Sequence, residues 1–308
     1  TPEIKDWGNL ENLKKNSSNI IFTSSDYFDL AKARSSAKGG GIFIGNVAEN
    51  TYEKKLDGQY RQFIKLNQNF FVIEYVKKEM HVFDTNFKMI EKFNLDQTKD
   101  NSEKPNYCGI TYSKEKNVFF VVNAATDEIS LYDDKNLKLI EKIKFSNKVN
   151  EIKGGQCHIN DITIMENSLF VSYFSKSGLW RKEIFDGGVS EINLNNSNKI
   201  TEVISGLNQP HSPEIIDDQI CVLDSLNRNF FIGNNNIGTF PGFIRGLTSD
   251  GNYFYVGQSE DMYSSRVMGK TSNVTMMNAG IYQFDHEKKI SKFLAIPEIM
   301  NIHDILIF

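Results

Sequence analysis

Short apolar runs, many alternating with polar positions, recur from residue 19 to the end of the chain. They include Asn19–Thr23, Gly41–Gly45, Phe70–Tyr75, Val118–Asn123, Ser168–Tyr173, Gln219–Leu223 and Tyr253–Gly257. Turn formers separate them: Asp57-Gly58, Asp186-Gly187-Gly188, Asn234-Asn235-Asn236 and Asp250-Gly251. Period-two and short fully apolar runs between such turns predict β-strands. One stretch, Asp26–Lys38, reads as a short helix stopped by Gly39-Gly40-Gly41. No strand–helix alternation follows, which argues against a parallel α/β sheet.

The strands repeat as a unit. Its fullest copy runs Tyr107-Cys108-Gly109-Ile110-Thr111, then Val118–Val122, then Glu128-Ile129-Ser130-Leu131-Tyr132-Asp133, then Leu137–Phe145. A second copy begins at Tyr60, and its third strand, His81-Val82-Phe83-Asp84, ends on Asp like Glu128–Asp133 and Gly280–Asp285. Aligning first strands gives the anchors Arg61, Cys108, Asn160, Pro213, Arg245 and His303. Four strands per repeat of roughly 40 to 50 residues is the pattern of a β-propeller. The last copy stops after His303–Phe308, and strands near Asn19–Thr23, Gly41–Gly45 and Tyr52–Leu56 complete it. The expected fold is therefore all-β: a six-bladed propeller over 19–308, closed by N- and C-terminal strands, with residues 1–18 as an N-terminal extension. Closure of this kind leaves no open sheet edge.

Composition narrows the function. Aromatics supply 12% of the 308 residues, which excludes a disordered chain. A formal charge of −4 argues against a general nucleic-acid binder, and no apolar run is long enough to span a membrane. Cys108, Cys157 and Cys221 form no CxxC pair and read as buried thiols in a reducing, cytoplasmic setting.

The chemistry concentrates where the innermost strands begin. These starts read Tyr60-Arg61-Gln62, Tyr107-Cys108-Gly109, Cys157-His158-Ile159-Asn160-Asp161, Pro210-His211-Ser212-Pro213-Glu214, Ile244-Arg245-Gly246 and Ile302-His303-Asp304. In a propeller such positions converge on the central channel. Three readings stand side by side. His158, His211 and His303 could hold a divalent metal (Zn, Mn or Fe), with Asp161, Glu214 and Asp304 as supporting carboxylates. Arg61 and Arg245 could clamp a carboxylate or phosphate without a metal. Or each His caps a strand end. His81 and His286 read as surface residues. Cys108 or Cys157 with His158 is a weaker nucleophile pairing. Trp180 reads as a ring-stacking residue or an inter-blade filler, and Met262–Met277, with Arg266, as a loop or lid.

The C-terminal half resembles an uncharacterised bacterial β-propeller family marked by PHSP, PGFxRGL and VGxS motifs. Here these are Pro210-His211-Ser212-Pro213, Pro241–Leu247 and Val256-Gly257-Gln258-Ser259. The resemblance implies the propeller and a role for His211 and Arg245. The chain departs from that family at Asp224-Ser225-Leu226, where Asn-Ser-Gly is usual. The combined expectation is a metal-dependent lyase, hydrolase or epimerase acting on a small anionic or sugar-derived substrate. His158, His211 and His303 would hold its metal, Arg61 and Arg245 would orient the anion, and Asp161 or Glu214 would tune ligands or move protons. The rival expectation is a non-catalytic propeller binding a glycan or protein partner across its top face.

Overall fold

The computed structural model describes residues 17–26, 39–97, 105–196, 198–260 and 277–308. The expected helix from residue 27 onward, the Met262–Met277 segment as far as 276 and residues 1–16 lie outside these. Within them the chain forms six four-stranded antiparallel sheets.

The first sheet joins both ends of the chain. It comprises β1 (Ile20–Ser24), β2 (Gly41–Asn46), β3 (Thr51–Leu56) and the last strand, β24 (Asp304–Ile307), in the order β24-β1-β2-β3. β1 pairs antiparallel with β24 from Ile20↔Ile307 to Thr23↔Asp304, so the C-terminal strand is innermost, as the repeat pattern requires. The second sheet holds β4 (Tyr60–Leu66) to β7 (Met89–Asn94), and the third β8 (Tyr107–Ser113) to β11 (Leu139–Lys144). The fourth runs from β12 (Ile159–Met165) to β15 (Lys199–Leu207). The fifth is β16 (Pro210–Ile216) to β19 (Asn235–Thr239), and the sixth β20 (Phe243–Ser249) to β23 (Ile290–Ala295). The short Pro213-to-Arg245 interval has its cause here: β18 (Asn229–Ile232) and β19 are the short outer strands of the fifth blade.

Blades pack face to face, so a strand inside a blade is covered on both sides. β9 (Val118–Asn123), VFFVVN, is buried at every position and accordingly reads as a continuous apolar run. Outermost strands keep a wet face, and β7, MIEKFN, is largely exposed. The core is six clusters, each between adjacent blades. Phe120 and Val122 of the third blade meet Ile162 and Val171 of the fourth. Phe22 and Phe43 of the first meet Tyr255 and Ile281 of the sixth. The clusters around Ile244, Phe119, Phe63 and Val222 complete the circuit. No single blade could bury its apolar faces alone, so the ring is the folding unit.

Candidate functional site

Five of the six innermost strands break register at the same place. The pairing skips between Tyr60 and Phe63, Tyr107 and Ile110, Ile159 and Ile162, His211 and Glu214, and Ile244 and Leu247. A bulge frees two residues from the ladder and re-aims their side chains. The freed pairs are Arg61-Gln62, Cys108-Gly109, Asn160-Asp161, Ser212-Pro213 and Arg245-Gly246.

The second members of these pairs, with their neighbours, clip the inner strands together. Gln62 Oε1 accepts from the Ile110 backbone N–H (2.9 Å), and its Nε2 donates to the Ile162 carbonyl (3.1 Å). Asp161 Oδ2 accepts from the Ser212 N–H (3.0 Å), and Ser212 Oγ accepts from the Gly246 N–H (2.9 Å). Asp304 Oδ2 accepts from the Phe63 N–H (3.1 Å), tying the first blade to the second.

Most first members line a cavity of about 220 Å³. Its polar side is Arg61, Asn106, Cys108, Asn160 and Arg245, and its aromatic side includes Tyr75, His158, Phe174, Trp180, His211 and Phe243. Arg61 lies over the Tyr75 ring, 3.6 Å from its centroid, and its Nη1 donates to Asn106 Oδ1 (2.6 Å). Arg245 Nη2 pairs with Asp161 Oδ1 at 3.2 Å. Both guanidiniums are under 10% exposed, and among the described residues neither Nε has a hydrogen-bond partner. Among the described residues Arg61 has no carboxylate partner. Burial lowers its basicity, but a guanidinium stays protonated.

Two of the three expected metal-binding imidazoles line this cavity. The His158 ring packs against both Phe174 (4.5 Å) and Trp180 (4.2 Å), whose own centroids are 6.2 Å apart. Burial, then Arg61 and Arg245, push it down to about 3. His211 Nδ1 lies 2.8 Å from Ser225 Oγ, and burial with Arg245 lowers it well below the usual histidine value. Both rings are therefore neutral at neutral pH.

The third imidazole corrects the expected metal centre. His303 is not among the cavity-lining residues, and its Nε2 is 3.1 Å from the Ser25 carbonyl. Among the described residues no group of three or more His, Cys, Asp or Glu side chains is arranged to hold a metal ion. The donor set thus does not fit a three-histidine metal site. The supporting carboxylates are also spoken for. Asp161 is the counter-ion of Arg245, and Asp304 caps the Phe63 and Ile305 N–H groups. Glu214 lines a separate opening with Asp217, Thr248 and Ser249, and burial, then Asp304 and Asp161, push its carboxyl well up.

Other expectations shift as well. His81 is buried rather than on the surface, its Nε2 2.8 Å from Glu79 and its Nδ1 3.4 Å from Tyr60 Oη. His286 is half-buried against Phe254. Cys108 lines the cavity, but its thiol donates to the Asn160 carbonyl (3.2 Å), and burial pushes it up to about 11. Trp180 sits on a single 3-10 turn, Trp180–Lys182, at the cavity wall. Tyr75, Asn106, Phe174 and Gln156 carry no local motif. Tyr75 and Phe174 directly follow second strands, a position equivalent from blade to blade that could have marked them.

No helix among the described residues is long and apolar enough to cross a membrane. No curated protein matches the sequence significantly. Solved structures share the fold at low identity. A chain of a nidogen/laminin complex is 8% identical with a TM-score of 0.59, covering 94% of this chain and 97% of that one. A protein of unknown function from Bacteroides caccae is 12% identical with a TM-score of 0.58, covering 94% and 98%. A luciferin-regenerating enzyme is 14% identical with a TM-score of 0.53, covering 77% and 76%. At such identities the likeness carries the propeller and nothing finer. The motifs of the C-terminal half sit within a longer match over residues 75–308, most of the chain, and by that match the protein belongs to the family described as Domain of unknown function (DUF4915).

Proposed function

We propose that the protein binds a small anion in the cavity at the starts of its innermost strands, with Arg61 and Arg245 as the anchors. One observation carries this reading: of the two buried guanidiniums only Arg245 has a carboxylate partner among the described residues, which leaves the Arg61 charge without a counter-ion there. A buried charge lacking a partner is costly, and an anionic ligand supplies the missing one. Asn106, Tyr75 and Asp161 hold the guanidiniums in place before the ligand arrives. The metal-dependent form of the expectation is not carried forward, because the three imidazoles do not meet.

A second reading, turnover of the bound anion, is favoured by the two neutral imidazoles in the same cavity. The Arg61 and Arg245 charges help to hold both rings neutral. An anion that offsets those charges raises the imidazoles toward the range useful for general acid–base work. Lyase, hydrolase and epimerase chemistry all use that step.

Calorimetric titration with inorganic phosphate, acetate and benzoate tests the binding reading. Saturable binding of at least one anion, weakened at least tenfold in Arg61→Ala, is the expected result. Binding unchanged by loss of Arg61 removes the reading.

A further inference from the structure

The hydrogen bonds behind His158 determine which of its nitrogens carries the proton. Arg181 Nη2 lies 3.2 Å from Gln156 Oε1. A guanidinium only donates, so the amide atom facing it is the oxygen. Gln156 must then present its NH₂ to His158, and Nε2 of Gln156 is 3.1 Å from His158 Nδ1. An NH₂ group only donates, so Nδ1 accepts and carries no proton. In a neutral imidazole the proton then sits on Nε2. The reverse amide orientation would set two donors against each other at Arg181 and is excluded on that ground.

The position of the ring decides what that proton can do. Phe174 and Trp180 pack against two adjacent sides of the ring, and Gln156 occupies its Nδ1 edge. His158 lines the cavity, and among the described residues its Nε2 has no partner. The cavity itself, about 220 Å³, exceeds the roughly 150 Å³ that accommodates a benzene ring. There is room for one six-membered ring and a carboxylate.

Resting on the anion reading above, we propose that Arg181 and Gln156 position His158 as a fixed Nε2–H donor to a carbonyl oxygen on the ligand, so that the pocket selects ring-bearing oxo-carboxylates. The two arginines take the carboxylate, the aromatic wall takes the ring, and His158 reads the oxo group. Gln156 and Arg181 are positioning residues that touch no ligand.

Two measurements test this on the full chain. The long-range proton–nitrogen NMR spectrum of the histidine rings at neutral pH reports the tautomer without any ligand. His158 protonated on Nε2 is expected; protonation on Nδ1 overturns the proposal. Gln156→Glu keeps the contact to Arg181 but offers His158 an acceptor, so its proton should move to Nδ1; a spectrum unchanged in this variant also overturns it. Titrations with benzoylformate and phenylacetate, which have equal charge and a common ring, report the oxo group. Wild type should prefer benzoylformate by about fivefold, the worth of one hydrogen bond. The preference should vanish in Gln156→Met and reverse in Gln156→Glu. Equal affinity in folded wild type overturns the selection. If neither these ligands nor phosphate bind, the anion reading fails and takes the ligand class with it, while the spectrum still decides the tautomer.

Discussion

Arg245 Nη2 reaches Asp161 Oδ1 at 3.2 Å, which ties the sixth blade to the fourth across the axis, past the fifth. Arg61, in the same cavity, rests on an aromatic face and a side-chain amide instead. Two guanidiniums of similar burial therefore have opposite relations to the fold. One neutralises a buried carboxylate. The other is a charge the fold tolerates.

Their removal should separate those roles. Arg245→Ala strands Asp161, 1% exposed, without its counter-ion, and should cost about 3–5 kcal/mol in urea unfolding. Arg61→Ala removes a charge that has no counter-ion among the described residues and should cost at most about 1–2 kcal/mol, for the lost stacking and hydrogen bond. Both should abolish anion binding. Equal stability losses would contradict this division.

A substitution outside the cavity should disturb it through the backbone. A Cβ at Gly257 would lie 2.1 Å from the Arg245 carbonyl and 2.5 Å from Ile302 Cγ2. Gly257→Ala must push β20 inward or break its pairing with β21 (Phe254–Ser259). It should destabilise by about 1–3 kcal/mol or more and weaken anion affinity, read by thermal unfolding and titration.

The cysteines should be inert in the folded protein. All three are buried, and burial pushes Cys108 up to about 11 and Cys157 and Cys221 up to about 12. The thiolate is the reactive form, so iodoacetamide at neutral pH should leave each unmodified by mass spectrometry. Unfolding in urea should expose all of them. Rapid native labelling of Cys108 would show a thiolate and revive the nucleophile reading.

Two buried groups on either side of one backbone hydrogen bond should give opposite pH dependences. Asp127 accepts from the Cys157 and His158 N–H groups, and burial raises it from 3.8 to about 6. Between those values the folded state keeps a proton the unfolded chain has released, so this contribution to stability falls as pH rises through about 6 and is flat only well above it. His158 is lowered from 6.5 to about 3. In that window the unfolded chain takes up a proton the folded state refuses, so this contribution falls as pH drops below 6.5. The stability difference between wild type and Asp127→Asn should shrink by about 2 kcal/mol from pH 4 to pH 6. The difference from His158→Gln should change in the opposite direction. Urea midpoints across pH check both signs.

Strand position and blade number were legible because both are local or repeating signals. A strand such as Val118–Asn123 declares itself by an apolar run between turns, and the third-strand Asp recurs at Asp84, Asp133 and Asp285. The truncated last copy at His303–Phe308 required strands from the N-terminus, and β24 does pair with β1. The same alignment marked the inner-strand starts, and Arg61, Cys108, Asn160 and Arg245 do line one cavity. It failed for residues whose partner is distant. His303 has the sequence signature of His158 and His211, yet its Nε2 faces Ser25, and Glu214 follows the Pro210–Pro213 run yet opens elsewhere. His81 looked peripheral and is buried against Tyr60.

What the chain by itself determined is a ring of six sheets and the set of polar residues at its inner edge, because alternation, turns and repeats are written in neighbouring positions. Only the tertiary structure decided which of those residues meet. A bulge turns each side chain through an angle no periodicity encodes. The Arg245–Asp161 contact depends on how whole blades pack round an axis, and Gln156 meets Arg181 and His158 only where two connections of the fourth blade come together.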